Sequence, residues 1–142
     1  MIQRIQSIWL LLAAVAAFLT LGFPFYSGNL VDAATNIKAH SELTARSTIL
    51  LTILNVAAGL GALAAIFLYK DRKKQFKVVL GVLLVSVINI VLFFLESKKF
   101  VANESNFTLT AAFAFAVPVF LILAARGIRA DEKLVKSLDR LR

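Results

Sequence analysis

Four long stretches of this chain contain no charged residue, and they limit its fold more than any other feature. The stretches lie between Arg4 and Asp32, Arg46 and Lys70, Lys77 and Glu96, and Glu104 and Arg126. Each is close to or above the ~20 residues that an α-helix needs to cross a bilayer at ~1.5 Å per residue. Lipid cannot satisfy the backbone of an open strand, so segments that cross it must be helical. The sequence therefore predicts four transmembrane helices.

These helices are expected near residues 7–26, 47–69, 78–95 and 107–125, within a single domain over residues 1–142. The predicted fold class is all-α, a polytopic membrane protein. Composition agrees, because 60% of the residues are hydrophobic and 17% are charged, against about 45–50% and about 25% in a soluble domain. A chain this short has too little interior to bury such an excess.

The distribution of positive charge predicts the orientation of the helices. Twelve of the 16 Lys and Arg residues lie on the side of the two termini and of the second loop. Acidic residues divide evenly between the two sides, so the whole net charge of +8 lies on that first side. Lys and Arg accumulate in cytoplasmic loops. Both termini are therefore expected in the cytoplasm, and the positive charge is assigned to orientation and anionic lipid rather than to nucleic acid.

Two segments outside the spans have a pattern of their own. The first outer loop, residues 27–46, contains helix formers such as Ala33, Ala34 and Ala39, so its second half is expected to extend the second helix outward. In the tail, residues 126–142, Leu134 and Leu138 begin an apolar row at helical spacing among basic residues. This pattern predicts a short amphipathic C-terminal cytoplasmic helix docked on lipid or a partner. The alternative is a solvated extension of the fourth helix.

Asn55 and Asn89 are the main polar residues within the spans. Counted from the outer helix ends, both lie roughly 10 Å below the outer boundary at ~1.5 Å per residue. The sequence therefore predicts an interhelical polar pair. Two interpretations stay open, a packing contact between helices and a polar site that opens outward.

Several classes of function are disfavoured by what the chain lacks. No ionisable residue lies within the four predicted spans, whereas proton-coupled transporters and ion pumps usually need one. The chain has no cysteine and one histidine, His40, which excludes disulfide chemistry and gives no support to a metal site. We expect no catalytic residue, no cofactor and no metal, and a protein that is not an enzyme.

The two ends of the chain resemble a known family. The opening MIQRIQSIWLLLA and the closing ADEKLVKSLDRLR are similar to the start and finish of an uncharacterised bacterial membrane protein family, domain of unknown function 4293. The resemblance spans the chain, since it includes both termini and the four-helix layout. It implies a multi-pass protein of the bacterial inner membrane and supplies no catalytic or binding residues.

The function expected from the sequence is that of a structural or accessory membrane protein. It would engage anionic lipid headgroups, a membrane-protein partner or a second copy of itself through its basic cytoplasmic face. The basic residues assigned to that face are Lys70, Arg72, Lys73, Lys74, Lys77, Arg129, Lys133, Lys136 and Arg140. The alternative is a small transporter or channel component that uses Asn55 and Asn89 as its polar lining.

Overall fold

Four helices and three strands make up the part of the chain that the structure, a computed structural model, describes. It describes the backbone of residues 2–142 and the side chains from residue 5 onward. The side chain of Arg4, whose charge was counted on the side of the termini, therefore lies outside the described part. The helices are α1 (Ile2–Gly22), α2 (Ile49–Phe67), α3 (Arg72–Ser97) and α4 (Ala111–Arg140). All four are long enough and apolar enough to cross a membrane, as the sequence predicts.

The helices form an up-and-down four-helix bundle, in which the first helix also packs against the last. α1 packs on α2 and α4, and α3 packs on the same two helices. Small residues let α2 approach both neighbours. A Cβ atom added to Gly59 would lie 2.8 Å from the ring of Phe18 on α1, and one added to Gly61 would lie 2.5 Å from Val82 on α3. The small residues of α2 therefore serve packing within the chain.

The outer surface of the bundle is apolar. Large side chains such as Leu11, Ile53, Leu84 and Val119 are each half exposed or more. A soluble monomer rarely leaves such a continuous apolar surface open to water. A bilayer supplies the cover that this surface needs.

The structure also contains a three-stranded sheet, so the all-α prediction is incomplete. The strands are β1 (Tyr26–Val31), β2 (Lys38–Leu43) and β3 (Phe100–Phe107), and the antiparallel order is β2-β1-β3. The central strand takes one neighbour from its own loop and the other from the loop between α3 and α4. Tyr26, for example, lies opposite both Leu43 and Phe107.

The expected outward extension of α2 is wrong, because β2 occupies the second half of that loop. Ala33 and Ala34 lie in the hairpin turn, where the backbone N–H of Ala34 donates to Oδ1 of Asp32 at 3.0 Å. Asn36 adopts a left-handed conformation, with φ of 52°, which Asn tolerates better than most residues. The turn chemistry and the strand pairing outweigh a helix propensity of a few tenths of a kcal/mol per residue.

The sheet is anchored to the end of the bundle opposite the chain termini. Phe25, at the start of the first connection, is buried and stacks on Phe93 of α3 with ring centroids 4.5 Å apart. The same buried apolar cluster also contains Leu43, Leu51 and Phe100. The α1–α2 and α3–α4 connections therefore form one structured cap.

The predicted short C-terminal helix is the end of α4 and not a separate element. α4 runs without interruption for 30 residues, which is ~45 Å at 1.5 Å per residue and exceeds a hydrocarbon core of ~30 Å. Leu134, Leu138 and Leu141 lie on this extension and are 50%, 63% and 85% exposed. In the structure the tail is therefore an extension of the fourth helix, which is the alternative to a separate docked helix.

Candidate functional site at the basic end of the bundle

The connection between α2 and α3 brings several basic residues to the end of the bundle away from the sheet. Asp71 caps α3, because its Oδ1 accepts a hydrogen bond from the backbone N–H of Lys74 at 3.2 Å. That backbone hydrogen bond, followed by the contact with the Lys74 side chain, holds the pKa of the Asp71 carboxyl below its ordinary value. The ionised cap also complements the positive end of the helix dipole. Asp71 therefore fixes the turn that presents its basic neighbours.

An open cleft of about 680 Å³ lies between this turn and the extension of α4. The turn contributes Tyr69, Lys70, Asp71, Arg72 and Lys73, and α4 contributes Glu132, Val135 and Lys136. The structure thus brings together four of the predicted basic residues, which are Lys70, Arg72, Lys73 and Lys136.

One contact ties the two walls of the cleft together. An N–H of the Arg72 guanidinium donates to the backbone carbonyl of Asp131 at 3.3 Å. On α4 itself, Lys136 pairs with Glu132 at 2.9 Å. The cleft is therefore positive on the side of the turn and of mixed charge on the side of α4.

The other predicted basic residues lie around the cleft rather than in it. Lys74 is highly exposed and pairs with Asp71 at 3.2 Å. Arg129 places its guanidinium 4.5 Å from the ring centroid of Phe76. Lys77, Lys133 and Arg140 lie outside the cleft lining.

Buried polar contacts at this end were missed by reasoning from the sequence. Nε2 of Gln6 on α1 donates to Oδ2 of Asp131 on α4 at 2.7 Å, and Nε2 of Gln75 on α3 donates to the carbonyl of Ala65 on α2 at 2.9 Å. All three polar side chains are buried. Gly127 makes room for the Gln6 side chain, because an added Cβ would lie 2.9 Å from its Cγ. These contacts hold the basic end of the bundle in a fixed arrangement.

The structure brings Asn55 and Asn89 together inside the bundle. Nδ2 of Asn89 donates to Oδ1 of Asn55 at 3.0 Å. Nδ2 of Asn55 donates to the carbonyl of Ala17 at 2.5 Å and to the hydroxyl of Thr20. The polar cluster therefore joins three helices rather than two. Oδ1 of Asn89 is, among the described side chains, the buried polar atom without a hydrogen-bond partner.

The sequence of the chain matches the model of a known family. The model of a family described as "Domain of unknown function (DUF4293)" matches residues 2–141. The matched region includes the bundle, the sheet and the basic extension of α4. No curated protein and no solved structure matches the chain.

Proposed function

The chain belongs to this family of unknown function, and from that premise we propose that it is a non-catalytic accessory protein of the bacterial inner membrane. Its basic end faces the cytoplasm together with both termini. There the cleft and the extension of α4 dock a membrane-associated protein partner with an acidic and partly apolar face.

The observation that carries this proposal is the exposed leucine row beyond the membrane. Arg126 is the first charged residue of α4, and Leu134 and Leu138 follow it by 8 and 12 residues, or ~12 and ~18 Å along the helix. The headgroup region adds only ~5–8 Å on each side of the hydrocarbon. The leucines therefore project past the headgroups into water, where a protein surface can cover them.

The charge around the leucine row indicates the chemistry of the partner. Lys70, Arg72 and Lys73 line the cleft on the side opposite α4. Near an anionic membrane surface, each such cation contributes about 1 kcal/mol to binding. A partner that covers both the turn and the leucines needs acidic groups beside apolar ones.

The orientation rests on the charge asymmetry between the two ends. The end with the termini and the cleft holds the whole excess of +8, and the end with the sheet is neutral overall. Basic loops stay in the cytoplasm during insertion. The sheet then faces the periplasm.

The second candidate, a small transporter or channel component, draws support from the unpartnered Oδ1 of Asn89. Both amide nitrogens of the pair are engaged in bonds between helices. That arrangement favours packing over an open polar path.

Photo-crosslinking in intact cells tests the docking proposal. A photoreactive residue at Leu138 should form a crosslink to one protein, and the same residue at Leu109 should not. Leu109 is a suitable control because it is 94% exposed at the opposite end of the bundle. The double variant Lys73→Gln/Lys136→Gln should lower the crosslink yield severalfold.

The matched charge control is Lys98→Gln/Lys99→Gln, which removes two cations from the other end. Its yield should equal that of the unmodified chain. Equal losses in the two double variants, or the absence of any crosslink at Leu138, would refute the proposal.

A further inference from the structure

A groove between α3 and α4 has apolar walls that face away from the bundle. It is lined by Phe76, Leu80 and Leu83 of α3 and by Ile122 and Ala125 of α4, and its volume is about 190 Å³. The three residues of α3 follow each other at helical spacing and so form one face. Leu80 and Ile122 are 42% and 47% exposed. The groove therefore opens onto the apolar surface that the bilayer covers.

Two arginines close the groove at its basic end. Arg126 and Arg129 complete its lining. The guanidinium carbon of Arg129 lies 4.5 Å from the ring centroid of Phe76, a cation–π contact that does not supply a polar acceptor to any of the five guanidinium N–H donors. The groove is thus apolar along its length and cationic at the level of the headgroups.

Neither arginine has an ion pair among the described residues. The two acidic residues that follow them on α4 form their hydrogen bond or ion pair with other residues. Asp131 accepts from Gln6 at 2.7 Å, and Glu132 pairs with Lys136 at 2.9 Å. The charge of the arginine pair is therefore available to an anion.

We propose that this groove binds one anionic phospholipid of the surrounding membrane. The phosphate lies on Arg126 and Arg129, whose planar guanidinium groups match the geometry of a phosphate group. One acyl chain runs from Phe76 toward Leu83, which is seven residues or ~10 Å deeper along α3. Basic pockets between transmembrane helices on the cytoplasmic side hold anionic headgroups in this way.

The size of the groove sets how much of the lipid it holds. Its volume of about 190 Å³ is below the ~300–1,000 Å³ of pockets that enclose a whole drug-sized ligand. A segment of one acyl chain fits, and the rest of the lipid stays in the bilayer. This site is separate from the cleft that docks the partner, so it stands whether or not the partner proposal holds.

Native mass spectrometry of the purified full-length protein tests the site. With equal amounts of phosphatidylglycerol and phosphatidylcholine, the unmodified chain should retain phosphatidylglycerol preferentially. Arg126→Gln/Arg129→Gln should lower the occupancy of phosphatidylglycerol about tenfold, or about 1.4 kcal/mol, and leave phosphatidylcholine unchanged. Leu80→Trp, which fills the groove without changing charge, should also lower it.

Three controls distinguish binding in the groove from diffuse charge attraction and from unfolding of the bundle. Lys133→Gln/Arg140→Gln removes the same charge outside the groove, leaves the Glu132–Lys136 pair in place, and should retain the lipid within twofold. Arg126→Lys/Arg129→Lys should retain more lipid than the Gln variant. The thermal unfolding midpoint of each variant shows whether the bundle is intact, and Leu80→Trp and the Lys variant decide the question if the Gln variant does not fold.

Three outcomes would overturn the proposal. Equal lipid loss in the Lys133/Arg140 variant would show diffuse attraction to the whole basic end. Full retention in Leu80→Trp would show that no acyl chain occupies the groove. Complete displacement by soluble glycerol phosphate would show an anion site that does not recognise lipid. Loss of the crosslink at Leu138 would leave these measurements unaffected and would contradict only the partner proposal.

Discussion

At the level of single residues, Asn55 and Asn89 have unequal roles although they form one pair. Asn55 bonds to α1 through Ala17 and Thr20 and accepts from Asn89 on α3. Asn89 contributes one bond and keeps one buried oxygen without a partner. An unpaired polar atom in an apolar interior opposes folding. The stabilisation in this cluster therefore comes mainly from Asn55.

Replacing each asparagine by leucine should reveal this inequality. Asn55→Leu removes three hydrogen bonds and leaves Nδ2 of Asn89 without an acceptor, so we expect a loss of about 1–2 kcal/mol in the free energy of unfolding. Asn89→Leu removes one bond and exchanges one unpaired buried oxygen, Oδ1 of Asn89, for another, Oδ1 of Asn55, so its cost should be near ~0.6 kcal/mol and below that of Asn55→Leu. Unfolding of the purified protein in mixed detergent micelles measures both. A loss in Asn89→Leu as large as that in Asn55→Leu would contradict the assignment.

At the level of elements, the helices were predictable from the sequence and the sheet was not. Transmembrane helices are encoded locally, because each uncharged stretch must satisfy its own backbone in lipid. The sheet depends on β1 pairing with β3, and these strands lie far apart in the chain, as in Gly28 opposite Ser105. Strand formation follows from partners and packing more than from intrinsic preference.

The features of the candidate sites also differ in whether they could be predicted from the sequence. The charge of the basic end could be counted in the sequence, and the depth of the asparagine pair followed from helical rise. The burial of Gln75 and Asp131 could not be predicted, because it depends on which helices are neighbours. The groove between α3 and α4 likewise requires both helices in place.

Gly28 provides a test of the β1–β3 contact. Its φ is not positive, so space rather than backbone conformation requires glycine here. An added Cβ would lie 2.1 Å from Cβ and 2.5 Å from Cα of Ser105. Gly28→Ala should force the strands apart and lower stability by about 1–3 kcal/mol, with the helical circular dichroism signal retained.

Gly22→Ala is the matched control for this substitution, because nothing lies within 4 Å of the added Cβ. Its thermal unfolding midpoint should match that of the unmodified chain. If Gly28→Ala also unfolds at that temperature, the close approach of the two strands does not exist in solution.

At the level of the whole molecule, the two ends of the bundle differ in structure as well as in charge. The α1–α2 and α3–α4 connections pair into one sheet packed on a cluster of aromatic and aliphatic side chains. The other end carries the whole excess charge, a cleft between two elements and an exposed row of leucines on the extension of α4. The first arrangement closes the bundle, and the second presents groups that need partners. Interactions are therefore expected at the basic end.

The orientation of the bundle can be measured directly, because the chain has no cysteine and any introduced thiol is unique. Lys73 and His40 are both exposed, one at each end, whereas Gln75 in the same basic segment is buried and would report poorly. With the termini in the cytoplasm, an impermeant thiol reagent should label His40→Cys in intact cells and Lys73→Cys only after permeabilisation. Lys73→Cys leaves four cations between Lys70 and Lys77, enough to keep this loop on the cytoplasmic side. Labelling of Lys73→Cys in intact cells would invert the topology, and the partner cleft would then face the periplasm.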